Sequence, residues 1–524
     1  MMKTAELSSQ KLPASGVERE ALRSKGQFWT PPWLAEVMAS WITQDKPPVV
    51  FDPAVGPGTF FAAARAIGFQ GDFVGFEPHS SVFAEGKNLG LTDQDFAQVH
   101  VADFISSTMR NKFPAIISNP PYIRHHRLSG DRKNELRTQA QHFLGFTLDG
   151  RVGLHLYFLL KCLDHLTASG RLAFLLPADV CEGVSSSTVW NRICELYRLE
   201  AVLTFAEEAV PFPQVDTNAI VFLISNTPPK NSFKWLQVFK RDGPTILQSL
   251  MTVGNGHGDL ESVVVHERSF AEALKTGLSR PLRNNGSHGR PLSQFAKVIR
   301  GIATGANEIF FLTKTQIRAL DLDESLFRRA VGRTRDCPND ILNMEVLDRI
   351  EAAGRPTWLL NLGSESKNTL PIKLQRYLEQ GEQQGLSERA LIKSRKPWYK
   401  MEQRTPPPIL FAYLGRRECR FILNETDAVP LTGFLCVYPF DKTASGPKRL
   451  WRALNHPDTI HNLMFVGKSY GGGAIKVEPR QLDDLEIPMH VLQEAELVAN
   501  EPPSQLQLLE NPSQYSTVGF PKDK

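Results

Sequence analysis

Asn119-Pro120-Pro121-Tyr122 places an amide, a carbonyl of fixed orientation and an aromatic ring within four residues, directly after the apolar run Ala115-Ile116-Ile117. The apolar run reads as a buried strand, and open α/β sheets present their ligands just beyond the carboxyl ends of their strands. Two successive prolines can neither continue a sheet ladder nor enter a helix interior, so Pro120 and Pro121 hold the segment extended and stiff. Such a group suits a planar ring that carries an exocyclic amine. The Asn119 oxygen and the Pro120 carbonyl can each accept one amino hydrogen while the Tyr122 ring stacks on the face.

Three acidic positions upstream define the elements that must hold this group. Val49-Val50-Phe51-Asp52 reads as a short strand, followed by the turn Pro53 to Gly58 and a helix beginning near Thr59. Gly56 and Gly58 let the backbone pass close to a ligand. They match the first two glycines of a dinucleotide-binding turn, but Phe61 occupies the third position, and Asp52 would repel a pyrophosphate. An acid there suits a ligand with an amine, such as the amino-acid end of S-adenosylmethionine. Phe73-Val74-Gly75-Phe76-Glu77 ends in a second carboxylate. It lies roughly 21 residues after Gly56, the distance at which βαβ units commonly offer an acceptor to ribose hydroxyls. Val99-His100-Val101-Ala102-Asp103-Phe104 ends in an acid and an aromatic suited to an adenine amino group and ring face. A single strand-end acid is most often a cap or a solvated turn residue. Three in succession, followed by Asn119 to Tyr122, point to a site.

On these motifs the chain resembles the adenine-N6 DNA methyltransferases of the gamma class, found in restriction–modification systems. Gly26-Gln27-Phe28-Trp29-Thr30-Pro31-Pro32 looks like the family's N-terminal cofactor motif. Thr30 is a good helix cap and Pro31 is at home in a first turn, so a helix is expected over Trp33 to Ile42, with hydroxyl and free amides to hold a methionine carboxylate. Asp52 to Phe60 resembles the first cofactor motif, with Val55 and Pro57 where Cys and Ser are common. By the same resemblance Glu77 is the ribose-binding acid, Asp103 and Phe104 the adenine-binding pair, and Asn119 to Tyr122 the catalytic motif without departure. Phe212, in Pro211-Phe212-Pro213, is the candidate second wall for an extruded base. The resemblance implies an α/β fold, with a Rossmann-like, mostly parallel seven-stranded sheet whose last strand is antiparallel. A mixed α+β target-recognition domain follows. It also implies S-adenosyl-L-methionine as cofactor, no metal, and a monomer that acts on double-stranded DNA, with a separate cognate restriction endonuclease as a further partner.

Composition agrees with two soluble cores. The chain has 524 residues, 41% hydrophobic and 22% charged, more than one core normally accommodates. Its 6 cysteines form no Cys-x-x-Cys pair, which fits a reducing cytoplasm rather than a disulfide or zinc framework. Residues 1–25 lack an apolar signal core, and no run approaches the ~18 apolar residues of a membrane span. The net charge of +4 permits a local nucleic-acid face without requiring one. The turn-rich segment Ser279 to Pro291 reads as a linker. The expected division is an extension over 1–25, a catalytic domain over 26–285, a target-recognition domain over 286–500 and a tail over 501–524. Trp235 to Phe239 reads as an extra strand pair on the catalytic domain. In the second half, basic residues alternate with aromatics and glycines. Lys393, Arg395, Lys396, Lys468 and Tyr470 are the candidate DNA contacts, the cations neutralising phosphates. The rival readings are methylation of cytosine N4, of RNA or of a protein glutamine, and a non-catalytic DNA-specificity module.

Overall fold

Short apolar runs, each stopped by proline, glycine or an acid, build one large sheet in the first half of the chain. The computed structural model describes residues 28–497 apart from 182–184, 213–217, 253–260, 281–288, 413–418 and 470–474. The strands are β1 (Val49–Asp52), β2 (Asp72–Phe76), β3 (Val99–His100), β4 (Phe113–Ser118), β5 (Leu166–Pro177), β6 (Arg198–Phe205), β7 (Ala219–Ser225), β8 (Ser232–Val238) and β9 (Val263–Ser269). Their order is β3-β2-β1-β4-β5-β7-β6-β8-β9. Strand β1 runs parallel to both β2 and β4, and β4 runs parallel to β5. Strand β7 is antiparallel to both of its neighbours. The first seven strands are the expected methyltransferase sheet. The sheet extends beyond seven, because β8 adds parallel to β6 and β9 closes it antiparallel. The reason is visible in β8, whose Trp235, Leu236 and Val238 are fully covered.

The order in which the chain lays down its strands reverses between β1 and β4. Such a switch point leaves a crevice at the carboxyl ends of the flanking strands. Asp52 ends β1 and Ser118 ends β4, so the two strongest sequence motifs meet there.

Alternate side chains enter opposite cores. Phe51, Ile116, Phe174 and Phe222 belong to one cluster, and Val50, Ile117, Leu175 and Val221 to the other. Both faces are therefore buried, which explains why these strands read as continuous apolar runs. Helices α1 (Pro32–Ile42) and α2 (Thr59–Ala66) cover the second face. Helices α3 (Gly130–Leu144), α4 (Leu154–Asp164) and α5 (Ser186–Leu196) cover the first.

The chain forms two compact units, the first made of residues 1–283 with 469–473 and the second of 284–468 with 474–524. In the second, a five-stranded sheet has the order Ala296–Arg300, Phe434–Pro439, Ile409–Ala412, Arg420–Asn424, Ile341–Leu342. A four-stranded sheet joins Phe311–Leu312, Trp358–Leu360, Phe327–Val331 and Val429–Pro430. Of the segment read as a linker, 281–288 lies outside the described residues, and Gly289–Pro291 is a strand antiparallel to Glu486–Pro488. The extension 1–25 and the tail 501–524 also lie outside them. Among the described residues no helix is long and apolar enough to cross a membrane.

Candidate active site

A cavity of about 440 Å³ opens at the switch point, with Thr30, Gly56, Glu77, Asp103, Phe104, Asn119 and Pro121 in its wall. Gly56 has φ +56°, and a Cβ placed on it would meet nothing within 4 Å. Its backbone is thus open to a ligand on a turn that only glycine adopts readily. Gly58 serves a different purpose. A Cβ there would lie 2.6 Å from Leu91 Cδ1 and 3.0 Å from Phe96 Cζ, so this glycine permits packing rather than ligand approach.

Asp52 lies beneath the turn and is 1% exposed. Its Oδ1 accepts from Ala54 N (2.9 Å) and Ser118 Oγ (3.0 Å), while Oδ2 is buried with no partner. Burial pushes its pKa up to about 7, against the opposing hydrogen bonds from Ala54 and Ser118, with Glu77 adding to the rise. An orphaned carboxylate oxygen of this kind is an acceptor in want of a donor. Glu77 accepts from Gly56 N (3.0 Å) and His79 N (3.0 Å), and burial raises its pKa as well. Asp103 accepts from Ile105 N (3.0 Å) and Ser106 Oγ (3.1 Å) and is paired with Arg132, a cavity residue that the sequence reading missed. Phe104 packs on Phe76 with centroids 5.4 Å apart, and Lys161 Nζ sits 4.6 Å from its ring.

Of the catalytic candidates, Asn119 and Pro121 are in the cavity wall, whereas Pro120, Tyr122 and Phe212 are not. Asn119 Nδ2 donates to Phe28 O (2.6 Å) and Thr30 Oγ1 (3.2 Å). The Phe28 carbonyl can only accept, so that contact fixes the amide orientation with Nδ2 toward it and Oδ1 as the remaining acceptor. Pro120, next in the chain after Asn119, carries the second carbonyl. Phe28 stands between the two expected aromatic walls, its ring 6.4 Å from Tyr122 and 6.0 Å from Phe212. Tyr122 and Phe212 do not line the cavity themselves; they reach it through Phe28. The Tyr122 hydroxyl is buried without a partner, and burial, helped by the charge of Asp179, holds its pKa well above the usual phenol range.

The role expected of Thr30 as a helix cap is corrected. The cap of α1 is Pro31 and the first helical residue is Pro32, with no side-chain cap. A second proline suits the first helical position, so it displaces the start by one residue. Neither proline carries an N–H, which also removes two of the free amides that a carboxylate would use. Thr30 instead serves Asn119.

The basic candidates of the second unit divide. Lys393 and Lys396 are exposed, Lys393 holding Glu388 at 2.9 Å. Arg395 is turned inward, donating to Ala303 O above the Phe310 ring, so its expected phosphate contact is corrected to a packing role. Its neighbours Trp398 and Tyr399 are likewise tied down, to Glu382 (2.8 Å) and Glu365 O (2.6 Å). Lys468 lies in a two-residue strand; its side chain and Tyr470 lie outside the described residues.

Parallel strands followed by acids around one switch-point cavity, with an open left-handed glycine in its wall and the orphaned Asp52 oxygen buried beneath that wall rather than in it, fit the class of S-adenosylmethionine-dependent methyltransferases. Comparison with known proteins narrows the class. Residues 17–233 match the family described as N-6 DNA Methylase, and 273–510 match the C-terminal domain of the Type II methyltransferase M.Eco57I. The chain is 25% identical over 487 residues to the Type II methyltransferase M.AccI of Acinetobacter calcoaceticus, covering 90% of this chain and 86% of that one. It is 25% identical over 475 residues to M.XamI of Xanthomonas campestris pv. amaranthicola, covering 88% and 85%. Among solved structures, the Type IIL restriction-modification enzyme MmeI in complex with DNA aligns with a TM-score of 0.50 at 12% identity. That alignment covers 90% of this chain and 63% of MmeI, so the chain spans about three fifths of that structure's length. Together these matches support the N6-adenine DNA methyltransferase family for this chain.

Proposed function

We propose that the protein methylates N6 of an adenine swung out of duplex DNA, and that each residue of the cavity has a defined part in this. The observation that carries the reading is the orientation of Asn119, whose amide hydrogens are engaged by Phe28 O and Thr30 Oγ1 while Oδ1 is left as an acceptor. Asn119 Oδ1 and the Pro120 carbonyl take the two amino hydrogens of the base. Accepting both favours a tetrahedral nitrogen, frees its lone pair from the ring and stabilises the positive charge that develops there. The sulfonium of S-adenosylmethionine supplies an electrophilic methyl when bound. Glu77 accepts from ribose hydroxyls, Asp103 with Arg132 borders the adenine end, and Asp52 Oδ2 is the acceptor for the amine. A stacked base is not presented for attack, so it leaves the helix. Tyr122, Phe28 and Phe212 offset the lost stacking, at roughly 1–3 kcal/mol per aromatic contact.

Lys393, Lys396 and Lys468 of the second unit, together with Tyr470, are the candidate DNA contacts. The reading extends to a gamma-class modification enzyme that works as a cytoplasmic monomer beside a separate restriction endonuclease. The proposed division is a catalytic part over 26–285 and a recognition part over 286–500. The test is incubation with methyl-labelled cofactor and unmethylated DNA, then digestion to nucleosides. Labelled N6-methyladenine is expected. Label in N4-methylcytosine, in protein or nowhere would overturn the assignment.

A further inference from the structure

Tyr122 has a partner that the reaction just described leaves unused. His155 lies in the first turn of α4 and is 2% exposed. Its ring meets that of Tyr122 edge-on, with centroids 5.9 Å apart and an interplanar angle of 74°. Nε2 lies 3.2 Å from Asp179 Oδ1, just past the end of β5. A proton on Nε2 faces that carboxylate, which leaves Nδ1 as a lone-pair acceptor. Nδ1 is buried with no partner, and so is the Tyr122 hydroxyl. A buried acceptor and a buried donor, each unsatisfied, therefore stand on adjoining rings. Buried polar groups are rarely left so, and such pairs mark places where the structure has a second arrangement to adopt.

The imidazole is held in place by its surroundings. At Gly153 a Cβ would lie 2.3 Å from His155 Cε1 and 2.9 Å from Nδ1, so the ring occupies the space that a side chain would fill. Leu154 N donates to Ile123 O (2.9 Å), which ties the start of α4 to the residue following Tyr122.

We propose that His155 is a positioning residue for Tyr122: when a base stacks on the Tyr122 ring, the hydroxyl donates to His155 Nδ1, and the chain Tyr122–His155–Asp179 locks the ring in its stacking orientation. The inference rests on the base-stacking role given to Tyr122 above. The chain carries no proton away and makes no contact with the reacting atoms. Its effect is to restrict the ring to the arrangement that holds an extruded base.

A double-mutant cycle with Tyr122→Phe and His155→Phe tests the inference, since each change removes one end of the hydrogen bond and keeps an aromatic ring. Methyl-transfer rates on unmethylated phage DNA are measured at saturating cofactor, with cofactor affinity followed by calorimetry. Each single variant is expected to lose about tenfold in kcat with cofactor affinity unchanged, and the double variant about the same tenfold, because both act on one interaction. Losses that multiply to about a hundredfold, or a fully active Tyr122→Phe, overturn the inference. If His155→Phe does not fold, the exposed Asp179→Asn takes its place in the cycle with the same expectation. A wild-type protein that transfers no methyl to DNA defeats the functional reading and this inference together. An active wild type with multiplicative losses defeats the inference alone.

Discussion

Asp52 makes the stability of the protein depend on pH in a direction opposite to that of an ordinary paired carboxylate. Its carboxyl is lifted from 3.8 to about 7 in the folded chain, chiefly by burial. The unfolded chain releases this proton near pH 4, while the folded chain keeps it until near pH 7. Between those values the folded state binds more protons, so its stability falls as pH rises. The contribution is fully present below pH 4 and lost as pH passes through about 7, and it amounts to about 4 kcal/mol in the protein without ligand. Asp52→Asn removes the titration but keeps Oδ1 for Ala54 N and Ser118 Oγ. The assay is urea unfolding of wild type and variant at intervals from pH 4 to 8.5. The variant should gain on the wild type by a few kcal/mol, with the gain accumulating between pH 4 and 7 and levelling off above neutrality. A difference between the two that stays flat with pH would refute the reasoning.

The same group couples cofactor binding to protons. A cationic amine beside Oδ2 favours the ionised acid, so calorimetry at pH 7 in buffers of different ionisation enthalpy should show release of up to about half a proton on binding, and none for Asp52→Asn. The two glycines of the turn should separate binding from folding. Gly56→Ala, at φ +56° with open space around it, should weaken cofactor affinity while costing about 1–2 kcal/mol of stability. Gly58→Ala, which drives a methyl against Leu91 and Phe96, should lower the melting temperature more. Lys396→Ala should flatten the dependence of DNA affinity on salt by about 0.9 in log–log slope, whereas Arg395→Ala should lower stability and leave that slope unchanged.

Features fixed by local sequence were legible. The strand ending in Asp52, the turn through Gly56 and the helix starting at Thr59 depend on neighbours a few residues away, and Glu77 directly follows its strand as read, whereas the strand read up to Asp103 stops at His100. Features fixed by distant contact were not. The partners of Asn119 lie 91 and 89 residues upstream, so nothing near Asn119 marks Thr30 as its support. Phe28 was read as part of a cofactor motif, because only the folded chain sets it between Tyr122 and Phe212. Arg395 sat in a basic run whose members are alike in sequence, and packing alone turned one of them inward. The two added strands were half legible. Trp235 to Phe239 carried the apolar pattern of a strand, but its pairing with Val263–Ser269 spans a gap that no local signal bridges.

The most direct test of the central claim is the single-turnover rate of methyl transfer to adenine by wild type and Asn119→Ala at saturating cofactor. Removing one of two acceptors from the charge that develops on the nitrogen should slow transfer by about 10²–10³-fold while cofactor still binds. A variant that methylates adenine at the wild-type rate would contradict the account.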